Sequence, residues 1–107
     1  MKRLDELRAL GRFSEPALLI LVSLADGPKH GYAMTQDIAA ISGQQLGPGT
    51  LYGAIARLEE RGWIEPLPSD DRRRPYKLTS AGHRVLRRRL EAMQSMARVA
   101  KARLADV

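Results

Sequence analysis

The sequence predicts a mainly α-helical fold with a small two-stranded β wing: a winged helix-turn-helix followed by a long C-terminal dimerisation helix. Three observations predict it. Apolar residues recur at helical spacing in residues 1–13, about 30–42 and 46–62, around a run that is apolar nearly all round, and the joints carry Gly and Pro. Two short runs of strand-forming residues come next, separated by a turn and by Arg72-Arg73-Arg74. Finally, Leu86, Leu90, Met93, Ala97, Ala100 and Leu104 alternate steps of four and three, which is a heptad seam. The expected organisation is an amphipathic helix over residues 1–13, a winged helix-turn-helix DNA-binding domain over 14–79, and a dimerisation helix over 80–107.

The composition bounds what such a chain can do. With 107 residues, 44% of them hydrophobic, one compact domain with a real core is expected. The formal net charge of +6 and a pI near 10.3 favour a polyanionic partner, because each Lys or Arg on a phosphate releases a condensed counterion. A protein that merely carries surplus positive charge fits the same numbers. The absence of cysteine excludes a disulfide framework, a thiol nucleophile and a thiolate zinc site. It suits a reducing cytoplasm, which is the expected location. The longest apolar run, residues 17–25, is far short of the roughly 20 residues that cross a bilayer. Lys2 and Arg3 give it the look of a signal peptide, but Asp5, Glu6 and Glu15 interrupt that pattern, so it reads as a buried helix.

The elements follow in order. Residues 1–13 space Leu4, Leu7 and Leu10 three apart among charges, an amphipathic stripe that packs on its own domain or on a partner subunit. Ser14 is the expected N-cap of the next helix, with Pro16 in its first turn and Asp26-Gly27-Pro28 at its end. This helix is apolar nearly all round and should be central. A second helix runs from about His30 to Ser42 and closes at Gly43, with Met34, Ile38 and Ile41 inward. By the 100° arithmetic Tyr32 and Gln36 then face outward. Lys29, His30 and Tyr32 sit at a helix N-terminus, where anions are favoured, and are expected to meet phosphate. His30 also reads as a cap. His83 is far away in sequence, so no metal site is expected.

A glycine-containing turn leads into the segment around which the chain is built, residues 46–62. Leu51, Ile55 and Leu58 form one apolar stripe, Pro48 suits the first turn and Gly62 the stop. The opposite side carries Gly53, Ala56, Arg57 and Glu60, flanked by Thr50 and Tyr52, and stays low enough for a large surface to approach. Helix, turn and helix in this order is the DNA-reading arrangement. Arg57 is the candidate for a base edge, or alternatively an ion partner on its own helix. The hairpin that follows pairs residues 63–67 with 75–79, Pro75 being confined to an edge or a strand start. Arg72, Arg73, Arg74 and Lys77 place positive charge where a wing reaches the sugar–phosphate backbone or the minor groove.

Thr79 is the expected cap of the last helix. Its seam of Leu86, Leu90, Met93, Ala97, Ala100 and Leu104, widened by Met96 and Val99, is too long for this chain to cover. A second copy covers it in a two-fold dimer, with Leu4 and Leu7 as further interface candidates. Packing back on the first helices is the competing reading. Arg84, Arg87, Arg88 and Arg89 read as solvated or inter-subunit charges rather than DNA contacts.

An ordered set of residues then resembles a known family. Glu15-Pro16 with the apolar run after it, Gly31-Tyr32, Gly49-Thr50-Leu51-Tyr52, Leu58-Glu59, Gly62, Ile64, the arginine run, Tyr76-Lys77-Leu78-Thr79 and Gly82 are similar to the PadR-like transcriptional regulators. The resemblance spans about residues 14–82. It implies a winged helix-turn-helix repressor of the short-C-terminus branch that dimerises through its last helix and binds a promoter palindrome. It further implies DNA contacts from Tyr32, Thr50, Tyr52 and Arg72, Arg73 and Arg74. Trp63 stands where a smaller aliphatic residue is expected, which implies partial exposure. The terminal helix has no aromatic residue, so the resemblance does not extend to relatives that hold flat drugs between aromatics. The expected partners are double-stranded DNA and a second copy, with no membrane and no cofactor; any inducer is left open. The alternative is a winged-helix protein-interaction module. An enzyme is disfavoured by two distant histidines, no cysteine and no phosphate-binding glycine loop.

Overall fold

The computed structural model describes residues 15–69 and 72–105. The helix expected over 1–13, with Leu4 and Leu7, and the cap expected at Ser14 lie outside these residues. Among those described, the chain is mostly helical with one small antiparallel sheet, in the predicted order.

Helix α1 spans Pro16–Leu24 and begins with Pro at its N-terminus, where a missing N–H costs nothing. The extended cap position is Glu15, one residue later than expected, and its side chain makes no capping bond. Leu18, Leu19, Ile20, Leu21 and Leu24 are buried, and α1 packs against three helices and the sheet. Val22 alone of its large residues is on the solvent side. Helix α2 spans Gly31–Ser42, and His30 caps it as expected, Nδ1 accepting the Ala33 N–H at 3.4 Å. Gly43 ends it with φ 75°, a left-handed conformation that glycine adopts without a Cβ clash. Met34 and Ile38 are fully buried. Ile41, expected inward, is half exposed instead. It lies in the last turn, past the elements that cover Met34 and Ile38, so periodicity places it on the right side with nothing there to meet it.

Helix α3 spans Pro48–Glu60 and buries Leu51, Ala54, Ile55 and Leu58. Leu46, in the short connection from α2, is buried too and ties the turn to the core. Strands β1 (Ile64–Pro66) and β2 (Tyr76–Leu78) pair antiparallel, Ile64 opposite Leu78, Glu65 opposite Lys77 and Pro66 opposite Tyr76. They are shorter than the expected segments, but Leu67 N–H still donates to Pro75 O at 2.8 Å. Pro75 precedes β2, as a residue without an N–H must. Ile64 and Leu78 bury one end of the hairpin against the helices.

Helix α4 spans Ser80–Ala105. The Thr79 hydroxyl accepts the Gly82 N–H at 3.0 Å and donates to Gly62 O at 2.6 Å, so one side chain caps α4 and ties it to the end of α3. Leu86 is buried in the chain's own core, and Val85 and Met93 pack partly against it. Beyond Met93 every described residue of α4 is exposed. The helix is 26 residues, about 39 Å at 1.5 Å per residue. The Cα radius of gyration is 15.8 Å, against about 13 Å for a compact chain of this size, because half of α4 projects from the body.

Candidate nucleic-acid interface

The corner between α2 and α3 sets out two tyrosines. Tyr32, in the first turn of α2, is 61% exposed, and Tyr52, in the first turns of α3, is 53% exposed. Gln36, one turn after Tyr32, donates from Nε2 to the Tyr32 hydroxyl at 3.1 Å. That bond occupies an oxygen lone pair and leaves the phenolic proton to point outward. The Tyr52 hydroxyl lies against the backbone of Gly31: a methyl group there would overlap it and stand 2.9 Å from the ring carbon Cζ. The absence of a side chain at residue 31 therefore leaves room for the Tyr52 hydroxyl against the start of α2, next in the chain to Tyr32.

The outward side of α3 is low. Gly49, Ala56 and Glu60 are exposed, Gly53 is half exposed, and Thr50 is exposed in the first turn. Arg57 is exposed, and one of its guanidinium nitrogens lies 3.6 Å from where a methyl on Gly53 would stand, so its charge extends back over the low surface. Among the described residues Arg57 makes no ion pair, with Glu60 or otherwise. Arg57 also borders a groove of about 490 Å³ between α1, α3 and α4, together with Leu21, Arg61, Trp63, Val85 and Arg89. Tyr52 borders a different flank, near Glu59 and Tyr76. The two flanks of α3 thus face different neighbours, which helical spacing alone does not separate. Arg61, which the sequence pattern does not single out, stacks on half-buried Trp63 with its guanidinium carbon 5.2 Å from the ring centroid.

The wing carries Arg72, Arg73 and Arg74 on exposed backbone, and the Ser69 hydroxyl donates to Arg73 O at 3.4 Å. Lys77 pairs across the hairpin with Glu65 at 3.3 Å, so its charge is partly satisfied within the chain. Lys29 departs further from expectation. Its ammonium turns inward to Ser23 O and the Asp26 carboxylate, and its side chain is 18% exposed. The Lys29 hydrogen bond and charge hold the Asp26 carboxyl below the usual carboxylate range. Burial, with Glu59 second, pushes the Tyr76 phenol up. His30 is half buried as the α2 cap.

On α4, Leu90, Met96, Val99 and Leu104 are exposed large apolar residues, with Ala97 and Ala100 exposed between them. Leu86, expected on the same seam, is covered by its own chain, and Met93 is half covered. Among the described residues, no three His, Asp or Glu residues gather as a metal site would require. No described helix is long and apolar enough to cross a membrane.

Comparison with known proteins agrees with this architecture. The profile of the Transcriptional regulator PadR-like family matches residues 20–88. The chain is 38% identical over 84 residues to the transcriptional regulator Rv3488 of Mycobacterium tuberculosis, covering 76% of this chain and 78% of that protein. It is 48% identical over 82 residues to an uncharacterised 37.1 kDa protein in transposon Tn4556 of Streptomyces fradiae. That match covers 77% of this chain but spans only 24% of the longer protein. Among solved structures, a transcriptional regulator from Clostridium thermocellum superposes with TM-score 0.70 at 26% identity, covering 91% of this chain and 92% of its own. A PadR family transcription regulator from Clostridium difficile shares the fold with TM-score 0.73 at 23% identity, covering 83% of this chain and 97% of its own.

Proposed function

The chain belongs to the PadR-like family of transcriptional regulators, and from that premise we propose that it is a cytoplasmic repressor that binds a promoter inverted repeat in duplex DNA as a homodimer. The observation that carries this reading is the α2–α3 corner, where exposed Tyr32 and Tyr52 adjoin an α3 surface kept low by Gly49, Gly53 and Ala56. A protein-binding surface has no need of that shape, whereas a major groove admits a helix whose approach nothing blocks. In the proposed complex α3 enters the major groove. Tyr32, Thr50 and Tyr52 donate to phosphates, with Gln36 and the α2 N-terminus beside them. Arg57, lying over Gly53, meets a base edge such as guanine. Arg72, Arg73 and Arg74 reach the flanking backbone or minor groove. Residues 80–107 form the dimerisation unit, and the seam of Leu90, Met93, Ala97, Ala100 and Leu104, with Met96 and Val99, sets two α3 helices about 34 Å apart in successive major grooves.

The wing tests the DNA reading. Replacing Arg72, Arg73 and Arg74 together by alanine is expected to lower affinity for every duplex. It should also flatten the dependence of log affinity on log salt by about one unit for each phosphate no longer neutralised. An unchanged slope would reject the phosphate role. Absence of salt-dependent duplex binding by the unaltered protein would favour a protein-interaction module instead.

A further inference from the structure

Lys29 is fastened at both of its ends. Its ammonium donates to the backbone oxygen of Ser23, near the end of α1, and pairs with Asp26. Its peptide group exchanges two hydrogen bonds with β2: Lys29 N–H donates to Tyr76 O at 3.1 Å, and Tyr76 N–H donates to Lys29 O at 2.9 Å. Lys29 therefore serves as a one-residue third strand on the outer side of β2. A two-stranded hairpin alone is marginal in water; here the helices hold its end at Ile64 and Leu78, and Lys29 adds a strand at Tyr76, on the end that leads to the wing. The anchor at the other end is firm. Ser23 is buried, and its hydroxyl donates to Asp37 of α2 at 2.7 Å, so the carbonyl that Lys29 grips belongs to a residue locked between two helices. From Tyr76 the chain runs back through Pro75 to the three arginines.

We infer that Lys29 is a positioning residue, clamping β2 to the end of α1 and so setting where Arg72, Arg73 and Arg74 stand relative to α3, and that it is not itself a phosphate contact. This role rests on the reading of the wing as a DNA contact. It also has a consequence in the free protein. An ammonium that holds the connection between α1 and α2 to the end of α1 restricts the opening of the Lys29–Tyr76 pair, while the hydrophobic core needs no such help.

Two variants separate clamp from contact. Lys29→Met keeps the length and apolar stem of the side chain but has no ammonium; Asp26→Asn keeps the shape of its partner but has no charge. A clamp predicts that each weakens duplex binding, Lys29→Met by about tenfold, the size of one charge-assisted hydrogen bond removed. The salt slope should stay unchanged, because the loosened wing still reaches the same phosphates once bound and the loss is the cost of ordering it, and the double variant should be no weaker than Lys29→Met alone. A phosphate contact predicts the reverse pattern. Lys29→Met would flatten the slope by about one unit, and Asp26→Asn would tighten binding by removing a negative charge beside the DNA. Either of those results overturns the proposal. Amide exchange in the absence of DNA gives a second reading: Lys29→Met should speed exchange at Lys29's position and at Tyr76 while leaving Ile38 protected, and Lys29→Arg should restore the slow exchange. Unchanged exchange at Tyr76 also overturns the proposal. If the unaltered protein binds no duplex at all, the functional reading fails, and amide exchange still decides the role of Lys29.

Discussion

Gly31 and Gly82 are both buried without a side chain, yet a methyl group would do different things at each. At Gly82 it would overlap the backbone carbonyl oxygen of Trp63 and lie 3.0 Å from the carbonyl carbon. Neither atom can move without shifting the junction of α3 and β1 against α4. Gly82→Ala is therefore expected to lower unfolding stability by about 1–3 kcal/mol, the usual range for overpacking, measured by urea denaturation. At Gly31 the obstacle is the Tyr52 hydroxyl and ring, on an exposed side chain that can swing away. Gly31→Ala should cost little stability and should instead weaken DNA binding through a displaced Tyr52. Equal destabilisation by the two substitutions would contradict this assignment. At this scale, local chemistry is legible in the sequence. Pro48 at a helix start, the left-handed glycines Gly43 and Gly62 and the Thr79 cap each answer a need set by neighbours in sequence. The clamp at Lys29 is not legible, because its partners are an α1 carbonyl and a strand far along the chain.

At the scale of the element, α4 divides in two. Its first half is held by the body of the chain through Gly82, Leu86 and, partly, Met93, while Leu90, Met96, Val99 and Leu104 are exposed. The heptad pattern predicts one continuous seam, since period reports which side of a helix is apolar and not what lies opposite. For that reason periodicity assigns Leu86 to the partner although it sits in the core, and Ile41 to the core although it sits in water. The helix-turn-helix and wing are legible because stripe, turn and strand signals agree along the chain. The pairing of Lys77 with Glu65 depends on hairpin register, which sequence leaves open. Burying the free seam is worth about 1.5–3 kcal/mol per large side chain. Because Leu90, Met96, Val99 and Leu104 are already partly covered, burying the rest over two copies is worth on the order of 10 kcal/mol, comparable to the cost of association. Met96→Glu with Leu104→Glu is accordingly expected to convert a dimer to a monomer by sedimentation, with the helical circular dichroism of the body retained. A dimer that survives both charges would place the interface elsewhere.

For the whole molecule, shape and charge point to one arrangement. A compact body with a low helical surface and a basic wing is joined to a projecting helix, and the long dimension is 58 Å against 32 and 20 Å for the other two. With only one copy, the corner of α2 and α3 would meet a single half-site, and the free part of α4 would stay in water. In the proposed dimer, two copies related by a two-fold axis would cover α4 and present the corner twice. The most direct test of this arrangement is selection of bound duplexes from a random pool by the purified, unaltered protein, followed by sequencing. Enrichment of an inverted repeat whose half-sites are centred about one helical turn apart is the predicted result. Recovery of an unchanged pool, or of a lone asymmetric half-site, would contradict it.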